Sequence, residues 1–228
     1  MTTSQSISVI IPILNEAKIL EETLSELQSE VGLHELIVVD GGSTDGSVHI
    51  ADKYGKVITS EPGRAKQLNT GAASASGDIL VFLHADIWLE PGALEAVATA
   101  LASGHVGGGF QQKIDGTHLL YRAIEIAGNM RGKYLKVFYG DSGIFLRRVD
   151  FEKIGGFPEI PILEEMEFSK QLRRLGKTTL ITPYIHISAR RWETKGIVRT
   201  TLNNWLITLL YFLKFSPAQL AKLYRHIR

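Results

Sequence analysis

Leu36-Ile37-Val38-Val39-Asp40-Gly41-Gly42-Ser43-Thr44-Asp45-Gly46 is the stretch that decides the fold: four apolar residues run straight into a polar, glycine-rich loop. A short β-branched run of this kind reads as a buried strand. Val48, Ile50 and Ala51 beyond the loop mark a helix. The alternation extends in both directions. Ile7–Ile11, stopped by Pro12, is a strand, and Ile19, Leu20, Leu24 and Leu27 follow at helical spacing. Val57–Thr59 is a third, weaker strand, residues 63–73 a helix, and Ile79–Leu83 a fourth strand. The pattern predicts an α/β fold, a mostly parallel central sheet flanked by helices.

The second half is less regular. Gly107-Gly108-Gly109 precedes a strand at Phe110–Ile114, Leu119–Met130 is helical in pattern, and Gly143–Leu146 is a short strand. Glu164 to Leu175 reads as a helix with Phe168, Leu172 and Leu175 on one face and Gly176 as its stop. Thr178–Ile181 closes the sheet. With no repeat, low-complexity segment or linker, one domain over residues 1–228 is expected.

The 228 residues include 25 Lys+Arg and 24 Asp+Glu, a net charge of +1 that argues against a nucleic-acid binder. The absence of cysteine excludes disulfides, a thiol nucleophile and thiolate-held metals. The start, MTTSQSISVIIP, lacks the features of a secretory signal, so a cytoplasmic location is expected. The charges are segregated: from Phe168 to Arg228 there are 12 Lys+Arg and one acid, Glu193. Either such clusters remix on folding or they divide labour between two surfaces.

In a parallel α/β sheet ligands bind outside the carboxyl ends of the strands. Asn15-Glu16, Asp40 with Asp45, and His84-Ala85-Asp86 stand at three such ends. Each alone is also what a turn or helix cap looks like; their joint place on one rim is the stronger observation. G-x-G-x-x-G is absent after the first strand and G-x-x-x-x-G-K-[ST] is absent throughout, which disfavours dinucleotide and P-loop folds. An acidic rim suits a nucleotide whose phosphates are bridged by a hard cation, Mn²⁺ or Mg²⁺, with Asp86 holding it. On the Glu164 helix, about 100° per residue sets Glu164 and Glu165 beside the buried face and turns Glu167 aside. Both acids lie in the first turn, where the helix dipole favours the ionised form, and dipole stability alone would also account for them.

Pro12-Ile13-Leu14-Asn15-Glu16, Val38–Gly46, Leu83-His84-Ala85-Asp86, Gly155-Gly156-Phe157 and Glu164–Phe168 together resemble the family 2 glycosyltransferases with the GT-A fold. Residues 63–69 (GRAKQLN), 140–143 (GDSG) and 188–192 (SARRW) are similar to a bacterial subgroup described as arsenosugar-biosynthesis-type or radical-SAM/selenodomain-associated. The resemblance implies transfer of a sugar from a UDP- or GDP-linked donor to an unknown acceptor hydroxyl, with inversion. Residues 1–106 would bind the donor, 107–192 the acceptor, and 193–228 would form basic amphipathic helices. By the same resemblance Pro12, Asn15, Glu16, Asp40, Arg64 and Asn69 surround the nucleoside, together with His84 and Ala85. Asp86 matches the last acid of a D-x-D metal motif. His84 stands where its first aspartate often does and is expected to bond the ribose rather than ligate the cation. Glu165 matches the catalytic base, Glu164 being its neighbour in the pair. Arg190 or Arg191 would meet the diphosphate, and Asp141 and Trp192 the acceptor. A nucleotidyltransferase and a catalytically weak nucleotide-sugar-binding protein are the alternatives.

The apolar stretch Leu202–Leu213 is too short to span a bilayer. Leu202, Leu206, Leu209 and Leu213 form one helical stripe among Arg199, Lys214, Lys222, Arg225 and Arg228. That stripe fits an anionic membrane surface, the chain's own domain, or a second subunit in a homodimer.

Overall fold

A computed structural model describes residues 5–227. Its first half contains β1 (Ile7–Ile13), α1 (Ala17–Gln28), β2 (Leu33–Asp40), α2 (Ser47–Ala51), β3 (Lys56–Thr59), α3 (Arg64–Ala73), β4 (Ile79–Phe82), β5 (Ile87–Leu89) and α4 (Ala93–Ala102). The second half contains β6 (Gly107–Asp115), α5 (Leu119–Met130), β7 (Ile144–Arg147), α6 (Arg148–Ile154), α7 (Glu164–Leu175) and β8 (Thr178–Ser188). Three helices follow: α8 (Arg190–Lys195), α9 (Ile197–Phe212) and α10 (Pro217–Ile227).

The strands form one sheet in the order β3-β2-β1-β4-β7-β6-β8-β5. The first four are parallel, as expected. Beyond β4 the sheet is mixed: β7 is antiparallel to β4 and β6, and β5 to β8, while β6 and β8 run parallel. Successive residues of the central strands feed opposite layers, as the two-residue period requires. Val9, Ile11, Val38 and Val81 pack beneath α1 and α4. Ile10, Ile37, Val39 and Leu80 pack against Leu68 of α3 and Phe168 and Leu172 of α7. Leu175, expected on that buried face, is instead exposed at the helix end.

Four other differences from the expected elements have local causes. Pro12 does not stop β1. The Ile10 carbonyl accepts from Leu83 N–H on the β4 side, so Pro12, two residues on, turns its nitrogen to the same side, where β4 has ended and no ladder bond is lost. Gly107–Gly109 lie inside β6 because neighbouring backbone comes close; a Cβ on Gly108 would stand 1.9 Å from the Thr179 oxygen. β8 continues past Ile181 by bulging at Thr182 and Pro183, opposite the step between Phe110 and Gln111. β5 and α4 were not foreseen, one having three residues and the other too few polar positions to show an amphipathic period.

The stripe Leu202, Leu206, Leu209 and Leu213 faces outward, each residue 42–61% exposed, which removes packing on its own domain as its role. Arg228 lies outside the described residues, as does the side chain of Arg225. No helix among the described residues is long and apolar enough to cross a membrane.

Candidate active site

The carboxyl ends of β1 and β2 are tied together by side chains bonding to backbone. Asn15 adopts φ +57°, a left-handed conformation that asparagine tolerates better than most residues. Its Oδ1 accepts from Thr44 N–H at 2.8 Å, and Ser43 Oγ accepts from Asn15 N–H at 2.9 Å. Asp45 Oδ2 accepts from Ala17 N–H at 3.1 Å. The buried Asp40 carboxylate accepts from Gly42 and Ser43 N–H, shaping the glycine loop. A carboxylate has about four acceptor directions, so Asp40 keeps capacity for a ligand. Gln67 was not singled out from the sequence, yet its buried amide donates to Ile13 O at 2.8 Å and Val39 O at 2.9 Å, bracing both strand ends. A polar residue on the buried side of α3, beside Ala65 and Leu68, was the available signal.

The chemical centre forms where β4 meets the second half of the chain. His84 follows β4, and its Nε2 lies 3.2 Å from Glu165 Oε1 in the first turn of α7. Arg64, in the first turn of α3 and about half exposed, sets Nη1 3.7 Å from Glu165 Oε1 and Nε 4.0 Å from Glu164 Oε1. Both glutamates are buried, as their helical angle predicted, and Glu167 is not. Leu163, just before them, has φ +68°, a strained conformation for a branched side chain. The short turn Gly140–Ser142 closes over the pair, anchored by Ser169 Oγ, which accepts from Phe138 N–H and donates to Phe138 O. A Cβ on Gly140 would stand 1.9 Å from His84 Nε2 and 2.5 Å from Glu165 Oε1. Gly140→Ala is therefore expected to push the two apart and reduce turnover by roughly 10²-fold, the scale of an ångström misplacement, with little change in melting temperature. Equal turnover by the two proteins would show that the contact is unimportant.

The two glutamates do not share one ionisation state. Burial pushes the Glu164 carboxyl up to about 7, with the charge of Glu165 adding to it. Burial acts on Glu165 in the same direction but is outweighed by the His84 hydrogen bond and Arg64, which hold it below the usual carboxylate range. The dipole argument, which would ionise both alike, therefore fails for Glu164. In the unfolded chain Glu164 ionises near its ordinary value of 4.5. Its raised native value supplies stability at acid pH that is lost as pH rises from there to about 7. Glu164→Gln, fixed neutral, is expected to exceed the parent in stability by about 1–3 kcal/mol at pH 8 and to match it below pH 4.5. Denaturant titrations at both pH values test this; a difference independent of pH would contradict it.

The remaining predicted residues divide into rim and scaffold. Asp86 is half-buried after β4, and among the described residues no hydrogen bond or ion pair reaches its carboxylate. Glu16 Oε2 meets Arg190 Nη2 at 3.1 Å, bringing the basic C-terminal segment to the rim at the carboxyl end of β1. Arg191 points elsewhere, to the hydroxyl and ring of Tyr224 on α10. Asp141 is partly exposed beside the Gly140 turn, 3.6 Å from Arg131 Nη2. His84 faces Glu165, whereas the sequence pointed it at a ribose, because the Gly140 turn brings α7 against it. Arg64 stands between the acids. Both ends of the Asn69 amide bond the Phe157 backbone, at 2.9 and 2.8 Å, tying α3 to the loop before α7. Ala85 turns into the core while its carbonyl accepts from Thr23 Oγ1 at 2.8 Å. Trp192 is partly buried and packs edge-on to Tyr121 against a small cluster with Ile114 and Ile187. Pro12 stays in β1, paired with Val39.

No set of three or more potential metal ligands exists among the described residues. A carboxylate free of hydrogen bonds and ion pairs at a strand's carboxyl end nevertheless fits Mg²⁺ or Mn²⁺, which commonly bind one or two carboxylates plus substrate phosphates.

This sheet with its flanking helices has the GT-A fold of solved glycosyltransferases. The mannosyltransferase PcManGT from Pyrobaculum calidifontis, solved with GDP-Man and Mn²⁺, superposes with a TM-score of 0.67 at 21% identity, covering 94% of this chain and 66% of its own. Glucosyl-3-phosphoglycerate synthase from Mycobacterium tuberculosis, solved with Mn²⁺, UDP and glucosyl-3-phosphoglycerate, does so with a TM-score of 0.58 at 23% identity, covering 81% and 70%. The model of glycosyl transferase family 2 matches residues 8–155, and the chain belongs to that family. Among relatives, glycosyltransferase AglE of Haloferax volcanii is 28% identical over 176 residues, 67% of this chain. The chain spans little more than half of AglE, 56% of its length. The family match takes in the donor rim and the Gly140 turn; Glu164, Glu165 and Arg190 lie beyond it.

Proposed function

We propose that this protein moves a sugar from a UDP- or GDP-linked donor to an acceptor hydroxyl with inversion, and that Glu165 is the general base. The observation that carries the reading is the contact between His84 and Glu165, which sets an ionised carboxylate of the second half of the chain against the donor rim of the first. Two carboxyl groups held in opposite protonation states are a usual sign of divided acid–base roles. Glu165 would take the proton of the attacking hydroxyl as its oxygen bonds the anomeric carbon. The carbon–oxygen bond to the diphosphate breaks on the opposite face, and its electron pair leaves with the nucleotide. Glu164, pushed up to about 7, is mostly protonated below neutral pH and there keeps a second negative charge away from the base. Asn15, Glu16 and Asp40 would receive the nucleoside, Arg190 the diphosphate, and Asp141 the acceptor side. A divalent cation held by Asp86 would neutralise charge on the leaving diphosphate.

This reading treats the sheet and its helices as one catalytic domain working in the cytoplasm. It retains the narrower subgroup resemblance through Gly63–Asn69, Gly140–Gly143 and Ser188–Trp192. Incubating purified protein with UDP- and GDP-sugars and Mn²⁺ tests it. Nucleoside diphosphate release, with inverted configuration by NMR when an acceptor is supplied, is the expected result. Pyrophosphate release would identify a nucleotidyltransferase, and donor binding without turnover a binding protein.

A further inference from the structure

α9 turns most of its large apolar side chains outward. Its inward side is mixed: Ile207 and Thr200 are buried, Ile197 packs on the cluster with Tyr121, Thr208 Oγ1 meets Tyr139 OH at 3.4 Å, and Tyr211 OH takes Lys170. Its outward arc carries Val198, Leu202, Trp205, Leu209, Phe212 and Leu213, each 56–61% exposed. At about 100° per residue these fall within a sector of about 120°, the width of a face that normally seeks a core. Apolar exposure on this scale marks a surface that something covers.

We propose that this surface docks on an anionic lipid bilayer, α9 lying in the interface plane. Charge selects this occupant. No Asp or Glu occurs after Glu193, while Arg199 beside the arc and Lys214 just past its end are exposed, as is Lys222 on α10. A second copy meeting this face would bring the same cations against it, and like charges disfavour that contact. Anionic headgroups attract them, each basic residue near such a surface contributing about 1 kcal/mol. At 16 residues α9 is about 24 Å long, suited to lying on a bilayer and too short to cross it. Trp205 in the middle of the arc belongs at the headgroup level. The surface stands apart from the transfer chemistry, so either reading can fail alone.

The test is co-sedimentation of the full chain with phosphatidylglycerol/phosphatidylcholine vesicles and with phosphatidylcholine vesicles. Preferential binding to the anionic vesicles is expected, falling by about tenfold or more in Trp205→Ser/Leu209→Ser and weakening in about 0.5 M salt. Brominated lipid should quench the parent's tryptophan emission more than that of Trp205→Phe. Both positions are exposed, so circular dichroism and donor hydrolysis in solution should be unchanged. Absence of binding, binding indifferent to the double substitution, or a dimer that the substitution dissolves would overturn the proposal.

Discussion

Glu165→Gln is expected to lower kcat for sugar transfer by about 10³-fold, within the range a positioned base contributes. Glutamine preserves the size of the side chain and an oxygen at the 3.2 Å contact with His84. It removes the capacity to accept a proton and the negative charge that faces Arg64, which keeps Glu164 as its other partner. Because that capacity is used in the transition state and not in donor binding, kcat and kcat/KM should fall together while KM for the donor stays nearly constant. Glu164→Gln is the internal control. If Glu164 is already protonated near neutrality, its amide counterpart should keep most of the activity at pH 6.5. A Glu165→Gln protein retaining a tenth of parental kcat, or a larger loss from Glu164→Gln, would move the base elsewhere.

Asp86→Ala should be nearly as damaging, through the donor. Among the described residues the Asp86 carboxylate makes no hydrogen bond or ion pair, and Arg64, which feels its charge, keeps Glu164 and Glu165, so the fold should be unaffected. Electrostatic stabilisation of a departing diphosphate is worth several kcal/mol, and a loss of about 10²-fold or more in kcat/KM is expected. Calorimetry gives a readout independent of turnover: Mn²⁺ should tighten UDP or GDP binding to the parent and not to Asp86→Ala. Equal enhancement in the two proteins would remove Asp86 from the cation site.

Much of this architecture is legible before any coordinates, for a physical reason. Buried parallel strands must be continuous apolar runs, and polar residues that follow them must lie on one rim, so Asn15, Asp40 and Asp86 announce themselves. Helical geometry likewise gives the burial of Glu164 and Glu165 and the exclusion of Glu167. What stays hidden depends on contacts distant in sequence. His84 and Glu165 are 81 residues apart and meet only because β7 returns antiparallel beside β4. Nothing local to Asn69 reveals that its amide is taken up by Phe157, nor does anything local to Trp192 reveal Tyr121 beneath it. The outward face of α9 was equally hidden, since periodicity reports that a stripe exists and not which way it points.

Leu163 has a further consequence. Holding a leucine at φ +68° costs on the order of 1–2 kcal/mol, and glycine or asparagine would hold the same turn more cheaply. A selection that rewarded heat tolerance alone would exchange this residue early. Its retention would then be the signature of a constraint from activity: the turn directs the next two side chains, and a slacker hinge there would let them wander. Thermostabilised descendants of this protein that keep full turnover should draw their gains from other positions, leaving this small, unrelaxed kink in place.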